Sequence, residues 1–592
     1  MYDLGLIGNC HISALVDVSG AVRWLCFPRP DSPPVFGSIL DPDGGCFQIS
    51  PTAYTSSQQR YRKNTNILVT EFLSDESEVV RVTDFCPRFE SNGKSFRPPA
   101  MFRIVAPFQG LEPQIVVKCN PVQGWTKTPV APTVAGDHLR YVFPNGTLYL
   151  FTNIPLTNLV EGTPITLRDT AYFALMWDIP LSVEISMVSR EYLNATENYW
   201  RTWVKHCSIP SLFQEQVIRS ALALKLHCFE DTGAILAAVT TSLPEKRGGE
   251  RNWDYRFCWL RDAFFTLGAF HSLGHFEEME GFLRFLLEIV NYQGPLAPVY
   301  ALDHKVPCDE RVAEGWKGYQ NSSPVRYDNA AAVQVQNDVY GELILALAPI
   351  YFDERFHHLR SDQLTRALLW LGQQCADVIG RPDAGIWEVR KVQQEHSFTN
   401  LICWAGLDRL LRIIAHGTMR HPGQEAETAL QESRIKAELR IRMAVTDGSL
   451  RNGPLDPSFD ASTLLLPILR FPDDSLCRKT VREVASLLSF DRKSENNHLL
   501  YRYLRDDDFG VPGDPFVICS FWLAQAYARE GNHDEGRRIL TKMGAVANHL
   551  GLFSEHYSAI DKIQLGNFPQ AYSHVGMINA AFAVSPNWSE VL

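Results

Sequence analysis

Two glutamates in turn-rich stretches are the candidates for acid–base chemistry in this chain. Glu388 lies in Arg381–Arg390, where Pro and Gly residues indicate a loop between two helical patterns. It stands between Trp387 and Val389, and an apolar setting of that kind raises the pKa of a carboxyl group by desolvation. A raised pKa is what a general acid needs near neutral pH. The alternative is a loop glutamate that pairs with Arg390.

The second candidate, Glu555, stands beside His556 in the stretch Gly551–Gln570. A neighbouring Glu–His pair is not by itself a metal motif, and the HExxH and paired-cysteine spacings are absent from the sequence. Phosphate-loop, dinucleotide-binding and GxSxG motifs are absent as well. The sequence therefore predicts neither a metal nor an organic cofactor.

Charged and aromatic residues are concentrated in Arg251–Asp262, directly before a helical pattern. One interpretation is a helix cap formed by Asp262 together with surface salt bridges. The other is a carbohydrate pocket, in which Arg and Asp bind hydroxyl groups and Trp stacks on a sugar face. A second stretch, Glu314–Asn329, mixes Gly, aromatic and amide residues but has the wrong Gly spacing for a phosphate loop. The residue types alone leave these alternatives open.

The elements that must position these residues change in type along the chain. Residues 1–189 contain short apolar or alternating runs between turn signals, which predicts an all-β domain built as an antiparallel β-sandwich. Residues 190–211 read as a helical linker rich in Trp and Tyr. From 212 to 592 the apolar period is 3.6, with about twelve helical patterns and long loops between many of them. This favours an (α/α)6 barrel with a site at one end, and an irregular helical superhelix is the competing architecture.

Size and composition limit the classes of function. A chain of 592 residues is long enough for two domains, and its net charge of −11 without a Lys/Arg cluster argues against nucleic-acid binding. No apolar run is long enough to span a membrane, and the first residues do not resemble a signal peptide. The 13 cysteines are scattered and odd in number, as in a reducing compartment. We expect a cytoplasmic protein, and the oligomeric state stays open.

Several segments together resemble glycoside hydrolase family 15, the group of glucoamylases, glucodextranases and bacterial-type trehalases. The resemblance extends over nearly the whole chain and depends on five segments: Ile7–Pro34, Arg251–Asp262, Pro382–Glu388, Cys519–Trp522 and Leu565–His574. The first resembles the β-sandwich domain that precedes the barrel in prokaryotic-type members. The resemblance implies an (α/α)6 barrel and inverting hydrolysis by a general acid and a general base.

The same resemblance implies roles for individual residues. Glu388 matches the general acid and Glu555 the general base. The residues that match the family's contacts to the terminal glucose are Trp259, Arg261 and Asp262, and Arg502 matches a further sugar contact. The candidates for stacking on a sugar in the pocket are Trp316, Tyr319 and Trp387. Inverting hydrolysis requires two carboxyl groups roughly 6.5–9.5 Å apart, which two glutamates on different loops can satisfy. Next to the base, where the family more commonly has a second acid, this chain has His556.

We therefore expect an exo-acting, inverting α-glucosidase that removes terminal α-linked glucose from short gluco-oligosaccharides, in the manner of glucoamylases. A trehalase of the same family is the close alternative. A catalytically silent sugar-binding homologue is the alternative from another class, because fold does not guarantee activity. A lyase or transferase acting on a modified sugar is a third class. The expected partner is a small carbohydrate substrate.

Overall fold

The first part of the chain folds into two antiparallel sheets. The computed structural model describes residues 2–291, 294–307, 309–491 and 498–592. In spatial order, one sheet contains Leu4–Gly8, Ser13–Asp17, Ala21–Cys26, Cys46–Pro51, Gln114–Asn120 and Ile165–Thr166, with Pro34–Phe36 paired to the third. The other contains Thr133–Val134, His138–Phe143, Gly146–Thr152, Ala171–Trp177, Ala100–Pro107, Ser77–Phe85, Leu68–Ser74 and Ser56–Tyr61.

The two sheets pack face to face around a buried arginine. Arg103 pairs with Asp84 of its own sheet at 2.7 Å and donates hydrogen bonds to the carbonyl oxygens of Phe47 and Gly20 in the opposite one. Because the Asp84 carboxylate and two carbonyl oxygens bind it, the guanidinium is not an unpaired buried charge, and it links the two sheets. Side chains of His138–Phe143 alternate between buried and more exposed positions, as expected for one face on the core. The predicted β-sandwich is confirmed.

Among the strands of five or more residues in this domain, two were not predicted from the sequence. Ser56–Tyr61 is polar and forms one edge of the larger sheet, so it carries little of the apolar alternation that marks a half-buried strand. Leu4–Gly8 is fully buried and has glycine at two of its five positions. Ser56–Tyr61 pairs with Leu68–Ser74, and Leu4–Gly8 pairs with Ser13–Asp17. We attribute their strand conformation to this pairing rather than to the β-propensity of their residues.

One long helix, Ile185–Lys205, follows the sandwich. It begins where the Glu184 side chain accepts hydrogen bonds from the backbone N–H groups of Ser186 and Met187, at 3.0 and 2.8 Å. The predicted boundary at residue 189 therefore falls inside this helix. Its buried Trp203 stacks on His275 with ring centroids 3.9 Å apart, which fixes the helix against the domain that follows.

The helices after residue 212 form two concentric rings among the described residues. The inner ring closes on itself and is formed by Ala263–Leu273, Val339–Leu347, Ser397–His416, Ala461–Leu464 with Leu465–Ile468, Val517–Arg529 and Ala571–Val584. The outer ring is formed by Gln214–His227, Phe276–Val290, Asp362–Val378, Gln424–Met443, Asp474–Leu487 and His533–Met543. Inner helices are buried on most sides, whereas most outer helices bury one stripe. The (α/α)6 barrel is confirmed, and the superhelix alternative is not supported.

One predicted helix is interrupted where the site lies. The apolar pattern 328–351 predicts a continuous helix, but the structure has a short 3-10 turn at Ala330–Val333 and the helices Val339–Leu347 and Pro349–Phe352. Between them, Gln336 is buried and hydrogen-bonded to residues of the central cavity. Polar contacts there replace the hydrogen bonds that a continuous helix would make.

The sandwich braces the loops at one end of the barrel. Trp24 donates a hydrogen bond of 2.7 Å to the carbonyl oxygen of Val239, and the Tyr2 hydroxyl donates one of 3.0 Å to that of Gly566. Arg256, which is buried, donates to the carbonyl oxygen of Ser32 at 2.6 Å. The loops that carry the candidate site residues are thus held from outside the barrel. Among the described residues, no helix combines the length and the apolar character needed to cross a membrane.

Candidate active site

A tight turn between two barrel helices presents Glu388. Buried Asp383 anchors the turn, because its carboxylate accepts hydrogen bonds from the Asn337 N–H at 2.9 Å and from the Thr399 hydroxyl at 3.0 Å. Gly385 has a positive φ of 66° and leaves no room for a Cβ against a nearby imidazole, so glycine is required there. Glu388 itself has φ of 59°, an unfavourable left-handed conformation for a glutamate. The local fold holds this strain and turns the carboxyl group toward the barrel axis.

The carboxylate of Glu388 has polar and cationic neighbours. Its Oε1 accepts hydrogen bonds from Trp259 Nε1 at 2.7 Å, Arg261 Nη2 at 2.8 Å and Gln336 Nε2 at 3.2 Å. The apolar setting predicted from its sequence neighbours is therefore wrong. The residues next to Glu388 in the chain are not the ones next to its carboxylate, which are brought in from other loops.

Trp387 lines the cavity but is fixed by a polar contact on its far side. Its indole Nε1 donates to both carboxylate oxygens of buried Asp460, at 3.0 and 2.9 Å, and Asp460 is also paired with Arg505 at 2.9 Å. The ring packs edge-on against Phe516 and tilted against Trp522, with centroids 5.6 and 6.2 Å away. A large aromatic held in this way is a rigid wall for a ligand.

Glu555 is buried at the opposite wall. It directly precedes the strand His556–Ser558, which pairs with Ile563–Leu565. The Tyr255 hydroxyl donates a hydrogen bond of 2.7 Å to Glu555 Oε1. On the other side, a Cβ at Gly566 would lie 2.5 Å from Glu555 Oε2, so the glycine leaves just enough room for the carboxylate.

The surroundings of Glu555 shift its ionisation strongly. Burial, and then the nearby charge of Glu245, raise the pKa of Glu555 to about 8, although Tyr255 and Arg502 oppose the shift. Burial also acts on Glu245, but Arg502, at 3.0 Å, and then His556 lower the pKa of that carboxyl group. Burial lowers the pKa of His556 to about 4. The two carboxyl groups therefore share the site with the guanidinium of Arg502, which pairs with Glu245.

The same cluster has residue types that can bind a metal ion. Among the described residues, potential ligand atoms of Glu245, Glu555 and His556 all lie within 4.8 Å of one another. The guanidinium of Arg502 pairs with Glu245 and already supplies the positive charge that a cation would bring. We therefore interpret the group as a buried charge network rather than as a metal site.

One open cavity is lined by both glutamates. Seven of the nine predicted site residues line it: Trp259, Arg261, Asp262, Trp387, Glu388, Arg502 and Glu555. The rings of Tyr255 and Trp259 pack edge to face with centroids 5.2 Å apart. Because Tyr255 contacts Glu555 and Trp259 contacts Glu388, the two carboxylates lie at the two ends of this aromatic pair.

Arg261 and Asp262 form a charged corner of the cavity. Besides Glu388, Arg261 contacts Gln336 at 2.5 Å and Asp338 at 3.4 Å. Burial raises the pKa of Asp262 to about 7, although the charge of Arg261 opposes this. Such a pair can both donate to and accept from the hydroxyl groups of a sugar. Both residues line the cavity, and the Asp262 side chain does not cap the helix that follows it.

Two predicted residues lie elsewhere. Trp316 is buried against Gly37 and Gly44 of the sandwich, and its indole donates a hydrogen bond of 2.8 Å to the carbonyl oxygen of Trp125. Tyr319 packs edge-on against Tyr2, with ring centroids 5.4 Å apart. Neither lines the cavity. Their aromatic loop is used to dock the sandwich on the barrel, a role that residue types alone do not distinguish from ligand stacking.

Sequence reasoning missed four residues that shape the site. Tyr255 lies inside the segment that carried the family resemblance, so its position was a usable signal. Glu245, Gln336 and Asp460 lie outside every motif used above. Only the folded chain brings these three within contact distance of Arg502, Glu388 and Trp387.

Comparison with known proteins adds findings of three kinds. The family model Glycosyl hydrolases family 15 matches residues 212–582, and the model Trehalase-like, N-terminal matches residues 2–151. A trehalase of Thermoplasma volcanium is 31% identical over 598 residues, covering 98% of this chain and 92% of the relative. A trehalase of Mycolicibacterium smegmatis is 30% identical, covering 98% and 91%. The fold is similar to that of a bacterial glucoamylase complexed with acarbose, with a TM-score of 0.67, 15% identity and coverage of 98% and 93%.

Proposed function

Because the chain belongs to glycosyl hydrolases family 15, we propose that this glycoside hydrolase is an inverting trehalase with Glu388 as general acid and Glu555 as general base. The observation that carries the chemistry is the placement of these two glutamates at the two ends of one aromatic pair in one cavity. Which glutamate is the acid and which the base comes from the match to the family's motifs, because the contacts of Glu388 Oε1 are all hydrogen-bond donors and the raised pKa belongs to Glu555. The substrate is proposed from relatives named trehalase, which match over nearly the whole chain.

The proposed reaction uses each carboxyl group once. Glu388 gives a proton to the glycosidic oxygen, so one glucose departs as an alcohol. A water on the opposite face of the remaining sugar attacks C1 as the C1–oxygen bond breaks, and Glu555 takes a proton from that water. Arg261 and Trp259 then stabilise the carboxylate that Glu388 has become, by the hydrogen bonds described above.

The rim of the cavity supports action on a terminal sugar. Asp507 on one rim loop pairs with Arg251 at 2.5 Å. On the same loop, Asp508 accepts hydrogen bonds from the backbone N–H groups of Arg390 and Lys391, the latter at 3.0 Å. These contacts tie three loops together around the opening. A closed rim of this kind encloses a terminal sugar and does not distinguish a disaccharide from the end of a longer chain.

The sequence placed short gluco-oligosaccharides ahead of trehalose. The relatives named trehalase favour the alternative, while the resemblance to the glucoamylase structure at 15% identity bears on the fold alone. A silent sugar-binding homologue is disfavoured, because both carboxyl groups are in place with polar partners.

The substrate and the stereochemistry can be tested in one experiment. Trehalose, maltose and isomaltose are incubated with the protein, and the product anomers are followed by NMR from the first turnover. Inverting hydrolysis of trehalose releases α- and β-glucose in equal amounts, because only the attacked carbon inverts. Two equivalents of α-glucose would contradict inversion, and faster hydrolysis of maltose than of trehalose would contradict the substrate.

The two roles can be separated with α-glucosyl fluoride, whose fluoride leaves without being protonated. Glu388→Gln is expected to lose trehalose hydrolysis by several orders of magnitude but to keep hydrolysis of the fluoride. Glu555→Gln is expected to lose both. Glu250→Gln, which removes an exposed carboxyl group near the same end of the barrel, is the control and is expected to keep both. Equal loss of both substrates in Glu388→Gln would contradict its role as the acid.

A further inference from the structure

A second buried carboxylate lies behind the proposed base, and the reaction described above does not use it. The side chain of Glu245 is 7% exposed and pairs with Arg502 at 3.0 Å. Its Oε2 also lies 3.6 Å from His556 Nε2. With Glu555, these groups form a compact cluster in which potential ligand atoms of Glu245 and Glu555 lie within 4.8 Å of each other. Burying two carboxylates this close is costly unless a cation compensates them, and Arg502 is the cation that pairs with Glu245.

Glu245 also borders a second cavity. This opening is lined by residues of the 245–251 and 508–514 loops and by His556, and Glu245 lines both it and the central cavity. The carboxylate of Glu245 therefore stands between the space that receives the sugar and a separate opening behind the base.

We propose that Glu245 is a positioning residue for Glu555: its carboxylate and the guanidinium of Arg502 balance each other beside the base and so set how strongly Glu555 holds a proton. This rests on the proposed function, in which Glu555 must be ionised to accept a proton from water. A base with greater proton affinity is a stronger base once it is ionised.

The charges around Glu555 make the direction of the effect definite. The groups that face Glu245 and Glu555 are Arg502, Arg251, His556, Tyr255 and Tyr2. Arg502 favours the ionised form of Glu555, and Glu245 disfavours it, both by charge. If the charge of Glu245 is removed, its repulsion no longer opposes the positive charge of Arg502, so the pKa of Glu555 falls, although burial still raises it.

The experiment measures kcat/KM for α-glucosyl fluoride against pH in the Glu388→Gln background, where Glu555 is the remaining catalytic carboxyl group. The activity is expected to rise with pH as Glu555 ionises. Adding Glu245→Gln is expected to move this rise to lower pH by about one unit or more, a tenfold change in proton affinity. It is also expected to lower the plateau. Adding Glu250→Gln is expected to leave the profile unchanged.

Glu245→Asp keeps the charge but moves it away from Glu555, so an intermediate displacement is expected. Glu245→Gln leaves Arg502 without its buried partner. If that variant does not fold, the pH profile of Glu245→Asp tests the role of Glu245 instead. An unmoved profile in the folded variant would overturn the role of Glu245 while leaving the proposed function standing. A parent protein inactive on both trehalose and the fluoride would overturn both.

Discussion

Replacing Tyr255 by Phe removes one hydroxyl group and tests whether Glu555 is held as a base. The hydroxyl donates a hydrogen bond of 2.7 Å to Glu555 Oε1 in a buried setting. A hydrogen bond to a charged partner contributes about 1.5–3 kcal/mol. If the bond is fully used in the transition state, its loss lowers kcat/KM by about 10- to 150-fold, since about 1.36 kcal/mol corresponds to a factor of ten.

The same substitution has a signature that a loss of packing would not give. The Tyr255 hydrogen bond lowers the pKa of Glu555 from what burial alone would produce. Its loss is therefore expected to move the pH profile for α-glucosyl fluoride to higher pH, opposite to the effect of Glu245→Gln. Tyr557→Phe is the control, because Tyr557 is close to Glu555 in sequence but lines neither the central cavity nor the second cavity beside Glu245. A kcat/KM within about threefold of the parent protein, with an unmoved profile, would refute the reasoning, since that is under 1 kcal/mol.

Three further outcomes are expected. Asp460→Asn weakens the tether of the Trp387 indole and is expected to raise KM for trehalose by about tenfold, the loss of one hydrogen bond to a charged group; an unchanged KM would count against Trp387 as a sugar contact. Gly566→Ala places a Cβ 2.5 Å from Glu555 Oε2 and is expected to abolish most turnover, whereas Gly531→Ala, also at a positive φ but in open space, keeps it; similar loss in both would point to backbone strain instead. Because the pKa of Glu555 is raised to about 8 from an ordinary 4.5, its contribution to stability is full below about pH 4 and is lost as pH rises through 8. Melting temperatures measured between pH 5 and pH 9 should therefore fall less steeply in Glu555→Gln than in the parent protein; identical slopes would contradict the shift.

Much of the architecture could be predicted because its signals are local. The change from period 2 to period 3.6 near residue 212 separates sandwich from barrel, and the helices of both rings follow it. The failures are instructive. Ser56–Tyr61 is a strand only because a neighbour pairs with it, and the helix predicted over 328–351 is broken because Gln336 is recruited to the cavity. In each case a contact from elsewhere in the chain overrides local propensity.

The candidate site was also predictable from the sequence only in part. Resemblance in short motifs was enough to select Glu388 and Glu555, and the structure brings seven of the nine selected residues to one cavity. Residue type did not distinguish a ligand wall from a domain contact. Trp387 lines the cavity, whereas Trp316 packs on the sandwich.

By itself, the sequence determined the two domains, the kinds of elements in each and the two glutamates, because periodicity, turn residues and motifs are properties of short segments. Only the tertiary structure decided the surroundings of those glutamates and, for Glu555, the raised pKa. Glu388 accepts hydrogen bonds from Trp259 and Arg261, which lie more than a hundred residues before it in the chain. Glu245, which lies close to Glu555 in space, is about three hundred residues before it in the chain. Ionisation depends on charges and burial across space, so no reading of adjacent residues could have fixed it.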